Sequence, residues 1–184
     1  RMGIGDTVMF LPFIKSISTK FNSPVSLLVK ESSRADQFLE HTKYIDKIID
    51  LKRNDKKNDR HDGTKGFFNL INDLKNYKFE KVFIFNSSIR FNLIARLAGI
   101  KKIYQYPLFQ KKNQHITDYA KNLIKQSLNL DVNENPEIQI NEKLVQQSFL
   151  NYNMNNNQFN ILLAIGGSGS TKRIPPKTFL SVME

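Results

Sequence analysis

The sequence predicts an α/β domain with a mostly parallel β-sheet, and three observations lead to this fold class. Segments with helical periodicity alternate with short strand-like segments, the order in which parallel strands are connected. The segment KVFIF (residues 81–85) has apolar residues on both faces, as a strand of a parallel sheet does. Hydrophobic residues make up 40% of the 184 residues, which is enough to build a core. We therefore expect a globular α/β fold.

The first predicted element is an amphipathic helix over residues 7–20. Its apolar residues recur at three-residue steps from Val8 to Ile17, the spacing that forms one face of a helix. Pro12 lies inside this segment. Because proline has no backbone N–H, we expect the helix to kink there or to have an irregular first turn.

Two strands with a short helix between them are predicted next. VSLLVK (residues 25–30) and KIIDL (residues 47–51) have strand-like composition. Residues 34–40 between them favour a short helix. Residues 52–66 are charged and rich in turn-forming residues, so they are predicted to form a mobile surface loop.

The later elements are predicted from the same periodicities and from end signals, with Ser87 or Ser88 as a helix cap and Gly99 at a helix end. They are a helix over 67–77, the strand 81–85, a helix to about Leu97, a strand over 102–106, and helices over 115–128 and 142–152.

The Asn-rich run NYNMNNNQ (residues 151–158) is the best candidate for a linker, because it has no apolar face to bury. A new strand is predicted to begin at Phe159. The sequence opens on a glycine loop with no strand-like segment before it, and it stops at Glu184 within a helical pattern. We therefore expect it to be a piece of a larger protein.

Composition excludes several classes of site. The sequence has no cysteine, and its three histidines lack ligand spacing, so we expect neither a disulfide nor a protein-bound metal. The longest apolar run, residues 8–14, is too short to cross a membrane, and there is no signal-peptide pattern. The expected location is the cytoplasm.

The net charge of +11 favours anionic partners: nucleic acid, phosphorylated small molecules or the inner face of a membrane. A nucleic-acid-binding protein would be expected to carry a basic stripe with interleaved aromatic residues or a known motif. The sequence has neither, so nucleic acid is not an expected partner.

The first motif is RMGIGDTVMFLP (residues 1–12). Gly3 and Gly5 allow the backbone to turn sharply or to approach a ligand, and Asp6 lies where the loop enters the predicted helix. Val8 occupies the third glycine position of GxGxxG, so a dinucleotide site is not favoured. Asp6 is interpreted either as a helix N-cap or as a general base, and one carboxylate can serve in both ways.

The second motif is GGSGSTKR (residues 166–173). It departs from the GxxxxGK[ST] phosphate loop of nucleoside triphosphatases, because Thr171 replaces the second glycine and Arg173 replaces the magnesium-binding serine or threonine. It still offers backbone N–H groups, hydroxyls and positive charge just before a predicted helix, which suits a phosphate. A solvated Gly/Ser turn is an equal alternative. The candidate ligand-binding residues are Gly167, Ser168, Ser170, Thr171, Lys172 and Arg173.

His115 and Arg90 are two further candidate ligand contacts. His115 lies three residues before Asp118, so the two share one helix face if the helix has begun there. A lone histidine is more often a cap or a surface residue. Arg90 follows the strand ending at Phe85. It is either an exposed helix position or a contact to an anionic ligand at the carboxyl end of the sheet.

The order and spacing of these motifs resemble the ADP-heptose:lipopolysaccharide heptosyltransferases, glycosyltransferase family 9. The segment RMGIGDTVMFLPFIKSI matches the family's opening loop at Gly5, Asp6 and Pro12. HTKYIDKIIDL, SIRFNLIARLAGIKKIYQY and HITDYAKNLI resemble later stretches, the last through His115 and Tyr119. TKRIPPKTF resembles the family's Lys-Arg segment, with Ile174 in place of the usual tryptophan.

The resemblance implies the N-terminal half of a GT-B glycosyltransferase, whose two Rossmann-like domains face each other across a cleft. Residues 1–155 would form the acceptor-side domain, lacking its first strand. Residues 156–184 would begin the nucleotide-sugar domain. The fragment alone is expected to be inactive.

The resemblance also implies an inverting, metal-independent transfer of heptose from ADP-heptose to the lipopolysaccharide inner core, without a cofactor. Asp6 would be the general base, and Lys172 with Ser170 and Thr171 would neutralise the departing diphosphate. Gly3, Gly5, Arg90 and His115 would contact substrate.

The implied acceptor is a lipid A-linked sugar, and the loop after Leu51 fits peripheral attachment to the anionic inner membrane. For residues 52–60 a merely solvated loop is at least an equal alternative. Two alternatives stay open: a non-enzymatic α/β module that binds a phosphorylated ligand, and a GT-B transferase with another sugar nucleotide.

Overall fold

The computed structural model describes residues 3–53, 59–108, 115–155, 157–161 and 174–183. Their elements, in chain order, are α1 (Ile4–Phe21), β1 (Val25–Lys30), a 3-10 turn (Glu31–Ser33), α2 (Ala35–Leu39), β2 (Ile45–Leu51), α3 (Gly63–Lys75), β3 (Lys81–Ile84), α4 (Ile89–Leu97), β4 (Lys102–Gln105), α5 (Ile116–Leu128), α6 (Glu142–Asn151) and α7 (Pro176–Met183). The chain divides into two compact units, Arg1–Gln139 and Ile140–Glu184. The first contains all the strands that the described residues form.

The strands pair in parallel, which confirms the predicted fold class. β1 pairs with β2, with Leu27 opposite Ile48, and β3 pairs with β4, with Phe83 opposite Tyr104. Among the described residues these are two separate two-stranded sheets. Each pair is joined through a helix, as parallel strands require.

Helices cover both faces of these sheets, as the contacts of two adjacent residues in β1 show. Leu27 belongs to a core cluster that contains residues of α1 and α5, whereas its neighbour Leu28 packs against a cluster formed by α3 and α4. Side chains alternate between the faces of a strand, so the two clusters lie on opposite faces. Both faces being covered explains why β1 and β3 each contain three consecutive apolar residues, 27–29 and 82–84.

α1 is the longest element of the described residues and contacts both sheets. Its residues Phe10, Leu11 and Phe13 are almost fully buried. The ring of Phe10 lies 5.1 Å from that of Phe85, just after β3, and the ring of Phe21 lies 6.3 Å from that of Phe83. The helix runs unbroken through Pro12, and it begins three residues before the predicted start at residue 7.

The predicted loop over residues 52–66 differs from the structure at its end. α3 begins at Gly63, and His61 is buried with 4% of its surface exposed. Turn-forming residues such as Asp62 and Gly63 suggested a loop, but here they form the tight entry to a helix. The strand predicted from Phe159 is not formed in the described residues 159–161, and the residues that follow it up to 173 lie outside the described part of the chain.

Close packing between the turn and α3 makes Gly66 sensitive to substitution. A Cβ added at Gly66 would lie 2.0 Å from the backbone carbonyl carbon of His61, far inside van der Waals contact. We expect Gly66→Ala to lower the free energy of unfolding by about 2–4 kcal/mol, as overpacking at a rigid backbone contact does. Urea unfolding measures this change.

Gly5→Ala is the matched control, because a Cβ added at Gly5 in α1 meets no atom within 4 Å. It should leave stability unchanged or raise it by up to about 1 kcal/mol. A Gly66→Ala variant as stable as the unmodified protein would contradict the described packing.

Candidate functional site

The start of α1 holds Asp6 in a defined position. Gly3 is the N-cap residue, and its backbone N–H donates to Oδ2 of Asp6 at 2.9 Å. The hydroxyl of Thr7, which is buried, donates to the Gly3 carbonyl oxygen at 3.1 Å. The carboxylate therefore satisfies a backbone donor at the N-terminus of the helix, where the helix dipole favours negative charge.

The capping contact leaves half of the Asp6 carboxylate available. The bond from Gly3 is made to Oδ2, and within the described residues no other hydrogen bond to this carboxylate is formed. Asp6 is partly exposed. The interpretation of Asp6 as the N-cap is therefore wrong in position: Gly3 is the N-cap, and Asp6, in the first turn, accepts the Gly3 N–H from within the helix. The general-base role stays a prediction.

Arg90 lies in the first turn of α4, near the carboxyl end of β3. Its Nη2 donates to the backbone carbonyls of His61 at 3.2 Å and Gly63 at 2.9 Å. Its guanidinium lies over the ring of Phe67, 5.4 Å from the centroid. Arg90 therefore ties the start of α4 to the turn that enters α3. The bonds use one nitrogen of the guanidinium, and the side chain is partly exposed.

A second arginine lies close to Arg90. Burial lowers the pKa of Arg90, the charge of Arg53 lowers it further, and the carboxylate of Asp62 raises it. Arg53 itself is 3.9 Å from Asp62. Because Arg53 follows β2 and Arg90 follows β3, the carboxyl ends of two strands bring positive charge together.

The buried residue His61 holds together the elements at the carboxyl ends of the strands, and no sequence pattern indicated this role. His61 accepts the backbone N–H of Lys52 at Nδ1, at 3.0 Å, so the proton of the neutral ring is on Nε2. Nε2 then donates to Oδ2 of Asp73 at 3.0 Å. The histidine joins the residue after β2 to the middle of α3.

Asp73 also binds Arg60 through both carboxylate oxygens, at 3.0 and 2.5 Å. The Arg60 hydrogen bond lowers the pKa of the Asp73 carboxyl to about 2, with a further contribution from His61 and against the opposing effect of burial. No periodicity in the sequence relates Arg60, His61 and Asp73, because they meet only when the turn before α3 folds back on that helix.

The turn between β3 and α4 is held by a chain of polar side chains. Gln105 in β4 donates to the backbone carbonyls of Asn86 and Ser88, both at 3.0 Å, and accepts from Asn92 at 2.7 Å. Arg96 donates to Asn92 at 2.7 Å. Ser88 occupies the N-cap position of α4, one of the two predicted, but its side chain makes no capping hydrogen bond.

His115 is the N-cap of α5 and is exposed. Its Nδ1 lies 2.7 Å from the hydroxyl of Thr117 and accepts the backbone N–H of Thr117 at 3.4 Å. This is the capping role that the sequence left open for it. In the described part of the chain, no hydrogen bond, ion pair or ring contact joins any two of Asp6, Arg90 and His115.

The predicted phosphate loop lies outside the described residues. This applies to Gly167, Ser168, Ser170, Thr171, Lys172 and Arg173. The loop leads to α7, which begins at Pro176, a residue suited to the first helical position. Its role in binding stays a prediction.

In the described part of the chain, no group of three or more His, Cys, Asp or Glu side chains is placed to hold a metal ion. None of the helices described combines the length and the hydropathy that a membrane span requires.

No protein-family model matches the chain, and no curated protein matches its sequence. The chain is similar in structure to the glycosyl transferase family 9 protein from Veillonella parvula DSM 2008, with a TM-score of 0.71 and 19% sequence identity. The likeness covers 98% of this chain and 56% of that one, so this chain spans just over half the length of its structural neighbour. The fold is that of a fragment of a GT-B glycosyltransferase, as predicted.

The ion pair of Asp73 predicts an acid-sensitive stability. A carboxyl group whose pKa is lowered by folding stabilises the protein above its unfolded pKa, and this stabilisation is lost as the pH falls through the folded pKa. For Asp73 the window runs from its ordinary value of 3.8 down to about 2. We expect Asp73→Asn to lower the free energy of unfolding at pH 7 by about 1–2 kcal/mol and to flatten its fall across this window.

Urea unfolding at a series of pH values measures both effects. Asp46→Asn is the control, because Asp46 is exposed and lies 3.9 Å from Lys47 in a solvated pair. That substitution should change stability by less than about 0.5 kcal/mol. An Asp73→Asn variant with an unchanged pH profile would exclude the ion pair as a source of stability.

Proposed function

We propose that the chain is part of a glycosyltransferase of family 9. The observation that carries this proposal is the Asp6 carboxylate, held by the Gly3 N–H at the start of α1 in a fold shared with a protein of that family. The general base of an inverting transferase must be ionised and fixed in place. A carboxylate at a helix N-terminus meets both requirements.

The proposed reaction is transfer of heptose from ADP-heptose to a lipid A-linked sugar of the lipopolysaccharide inner core. The acceptor hydroxyl oxygen forms a bond to the anomeric carbon while the bond from that carbon to the diphosphate oxygen breaks. The hydroxyl proton passes to Asp6, and ADP leaves with the bonding electrons. Attack from the opposite face inverts the anomeric centre, and neither a metal nor a cofactor takes part.

The geometry of Asp6 suits the proton transfer. Oδ2 is engaged by the Gly3 N–H, which fixes the orientation of the carboxylate, and Oδ1 is left to receive a proton from a bound hydroxyl. A base of this kind contributes about 10²–10⁴-fold to the rate. Gly3 and Gly5 are proposed to let the acceptor approach, since added Cβ atoms at these positions meet no atom within 4 Å.

Arg90 is proposed to contact an anionic group of the acceptor. Its guanidinium is anchored through Nη2, and it lies at the same edge of the sheets as Arg53, whose charge is partly balanced by Asp62 at 3.9 Å. Arginine donors fixed in this way recognise carboxylates and phosphates with little loss of side-chain freedom. His115 is proposed to contact substrate as well, through the ring nitrogen that is not used for capping.

The donor diphosphate is proposed to bind the loop before α7. Backbone N–H groups near Gly167 and Ser168, the hydroxyls of Ser170 and Thr171, and the cations Lys172 and Arg173 would hold its negative charge. In this arrangement residues 156–184 begin the nucleotide-sugar domain, and residues 1–155 form the acceptor-side domain.

The acceptor-side domain is proposed to be completed by a further strand, outside the described residues, between β1 and β3. Supporting this, α1 packs against Leu27 and Phe85 in one core cluster, although β1 and β3 belong to separate sheets. A strand leading into the Gly3 turn would pair the facing edges of both strands and join the sheets.

Asp6→Asn in the full-length protein tests the assignment. The amide oxygen still accepts the Gly3 N–H, so the helix start is kept while the base is lost. We expect heptosyl transfer to fall by about 10²–10⁴-fold and ADP binding to stay the same. The readouts are a product assay and calorimetric titration of ADP.

Asp36→Asn provides the control, because Asp36 is an exposed carboxylate in the first turn of another helix, α2. Its transfer rate should equal that of the unmodified protein. Full transfer by Asp6→Asn would remove Asp6 from the mechanism, and phosphorylated-ligand binding without any transfer by the unmodified protein would favour the non-enzymatic alternative.

A further inference from the structure

One helix of the first unit exposes a row of apolar side chains. Ile89, Leu93 and Leu97 are 56%, 45% and 53% exposed, and we call these three residues the α4 stripe. They are spaced four residues apart, so they form a continuous row along one side of α4. Ile94 and Ala95 of the same helix are buried against the core. The stripe therefore faces away from the domain.

The stripe is unusual within its unit. Among the described residues of Arg1–Gln139, no other helix exposes more than one large apolar side chain; α1 exposes Ile4 and α3 exposes Phe68. Single exposed apolar residues are common on protein surfaces and need no explanation. A contiguous row on one helix indicates a surface that binds a protein, a ligand or a membrane.

The charged residues of α4 and of the segment just after it are all positive. Arg96, on α4 itself, and Lys101 and Lys102, just after it, are all exposed. From residue 81 to residue 117 the sequence has no Asp or Glu. The nearest acid in sequence, Glu80, lies 3.5 Å from Lys81, so its charge is balanced by that lysine.

We infer that the α4 stripe and the cations beside it dock the protein on an anionic lipid bilayer. An apolar row that enters the interfacial region, flanked by cations that meet lipid phosphates, is the arrangement by which peripheral proteins bind such surfaces. This inference rests on the proposed function, since a lipid-linked acceptor must be met at the membrane.

A second copy of the chain is a poorer fit to this surface. A stable protein interface buries about 800 Å² on each partner, which three half-exposed aliphatic side chains do not supply. Like charges at Arg96, Lys101 and Lys102 would also face each other across a symmetric contact.

The loop after Leu51, the surface first expected to meet the membrane, is less suited in its described part. Arg60 is bound by Asp73 at 2.5 Å, and Arg53 lies 3.9 Å from Asp62. These arginines are already paired with carboxylates, whereas Lys101 and Lys102 project from the segment that lacks acids.

Vesicle sedimentation with the intact protein and no sugar nucleotide tests the inference. Vesicles of phosphatidylcholine with about one third phosphatidylglycerol should bind the protein at least tenfold more tightly than pure phosphatidylcholine, and added salt should weaken the binding. The variant Ile89→Gln/Leu93→Gln/Leu97→Gln should bind the anionic vesicles at least tenfold more weakly. Its urea midpoint reports whether it folds.

Leu144→Gln/Leu150→Gln is the matched control, because both leucines are exposed on α6 in the other unit. It should bind as the unmodified protein does. If the stripe variant fails to fold, Arg96→Gln/Lys101→Gln/Lys102→Gln replaces it and should also lose at least tenfold, since each such charge strengthens binding about fivefold.

If the folded stripe variant binds anionic vesicles as tightly as the unmodified protein, the inference is wrong. If the stripe variant does not fold, the same result with the charge variant overturns it. A stripe variant that changes only the oligomeric state would also overturn it and would make the stripe a self-association surface. Transfer to a water-soluble acceptor is measured in parallel. Its absence, with normal vesicle binding, would refute the proposed transferase activity and leave the docking surface in place.

Discussion

The packing of α1 against both sheets is the contact on which the candidate site depends. Phe10 and Phe13 of α1 enclose the ring of Phe85, with centroid distances of 5.1 and 6.4 Å, and these rings lie in the same core cluster as Leu27 of β1. Burying aromatic side chains in this way contributes strongly to stability and fixes the helix along its length. Because Asp6 is in the first turn of α1, the orientation of its carboxylate is set by this core and by the Gly3 N–H.

The carboxyl edge of the sheets is fixed by contacts of a different kind. His61 joins the residue after β2 to Asp73 of α3, and Arg90 joins the same turn to α4. Gln105 holds the turn that leads from β3 into α4. Apart from the bond between His61 and Asp73, each of these contacts satisfies a backbone N–H or carbonyl group. These hydrogen bonds therefore fix the turns that follow β2 and β3. The aromatic core fixes the position of α1 against the strands.

The sequence was informative where structure follows from local pattern. β1 has the bounds expected of VSLLVK, and α5 begins one residue after His115, the residue that caps it. The start of α1 was placed late because Gly3 serves as the N-cap through its backbone, a role that side-chain cap signals do not reveal. The His61–Asp73–Arg60 cluster was missed because its members meet through tertiary packing. That Asp6 accepts a backbone N–H was foreseen, although the N-cap residue is Gly3 and not Asp6. The pairing of Arg53 with Asp62 was not foreseen.

We propose an inverting, metal-independent sugar transfer in which Asp6, fixed at the start of α1, is the general base. The most direct measurement is the anomeric configuration of the product, determined by NMR after the full-length protein has acted on ADP-heptose and a lipid A-linked acceptor in the presence of a chelator. We expect a product of inverted configuration, formed at the same rate with and without the chelator. A product of retained configuration, or transfer that stops when metal is removed, would contradict the proposed mechanism.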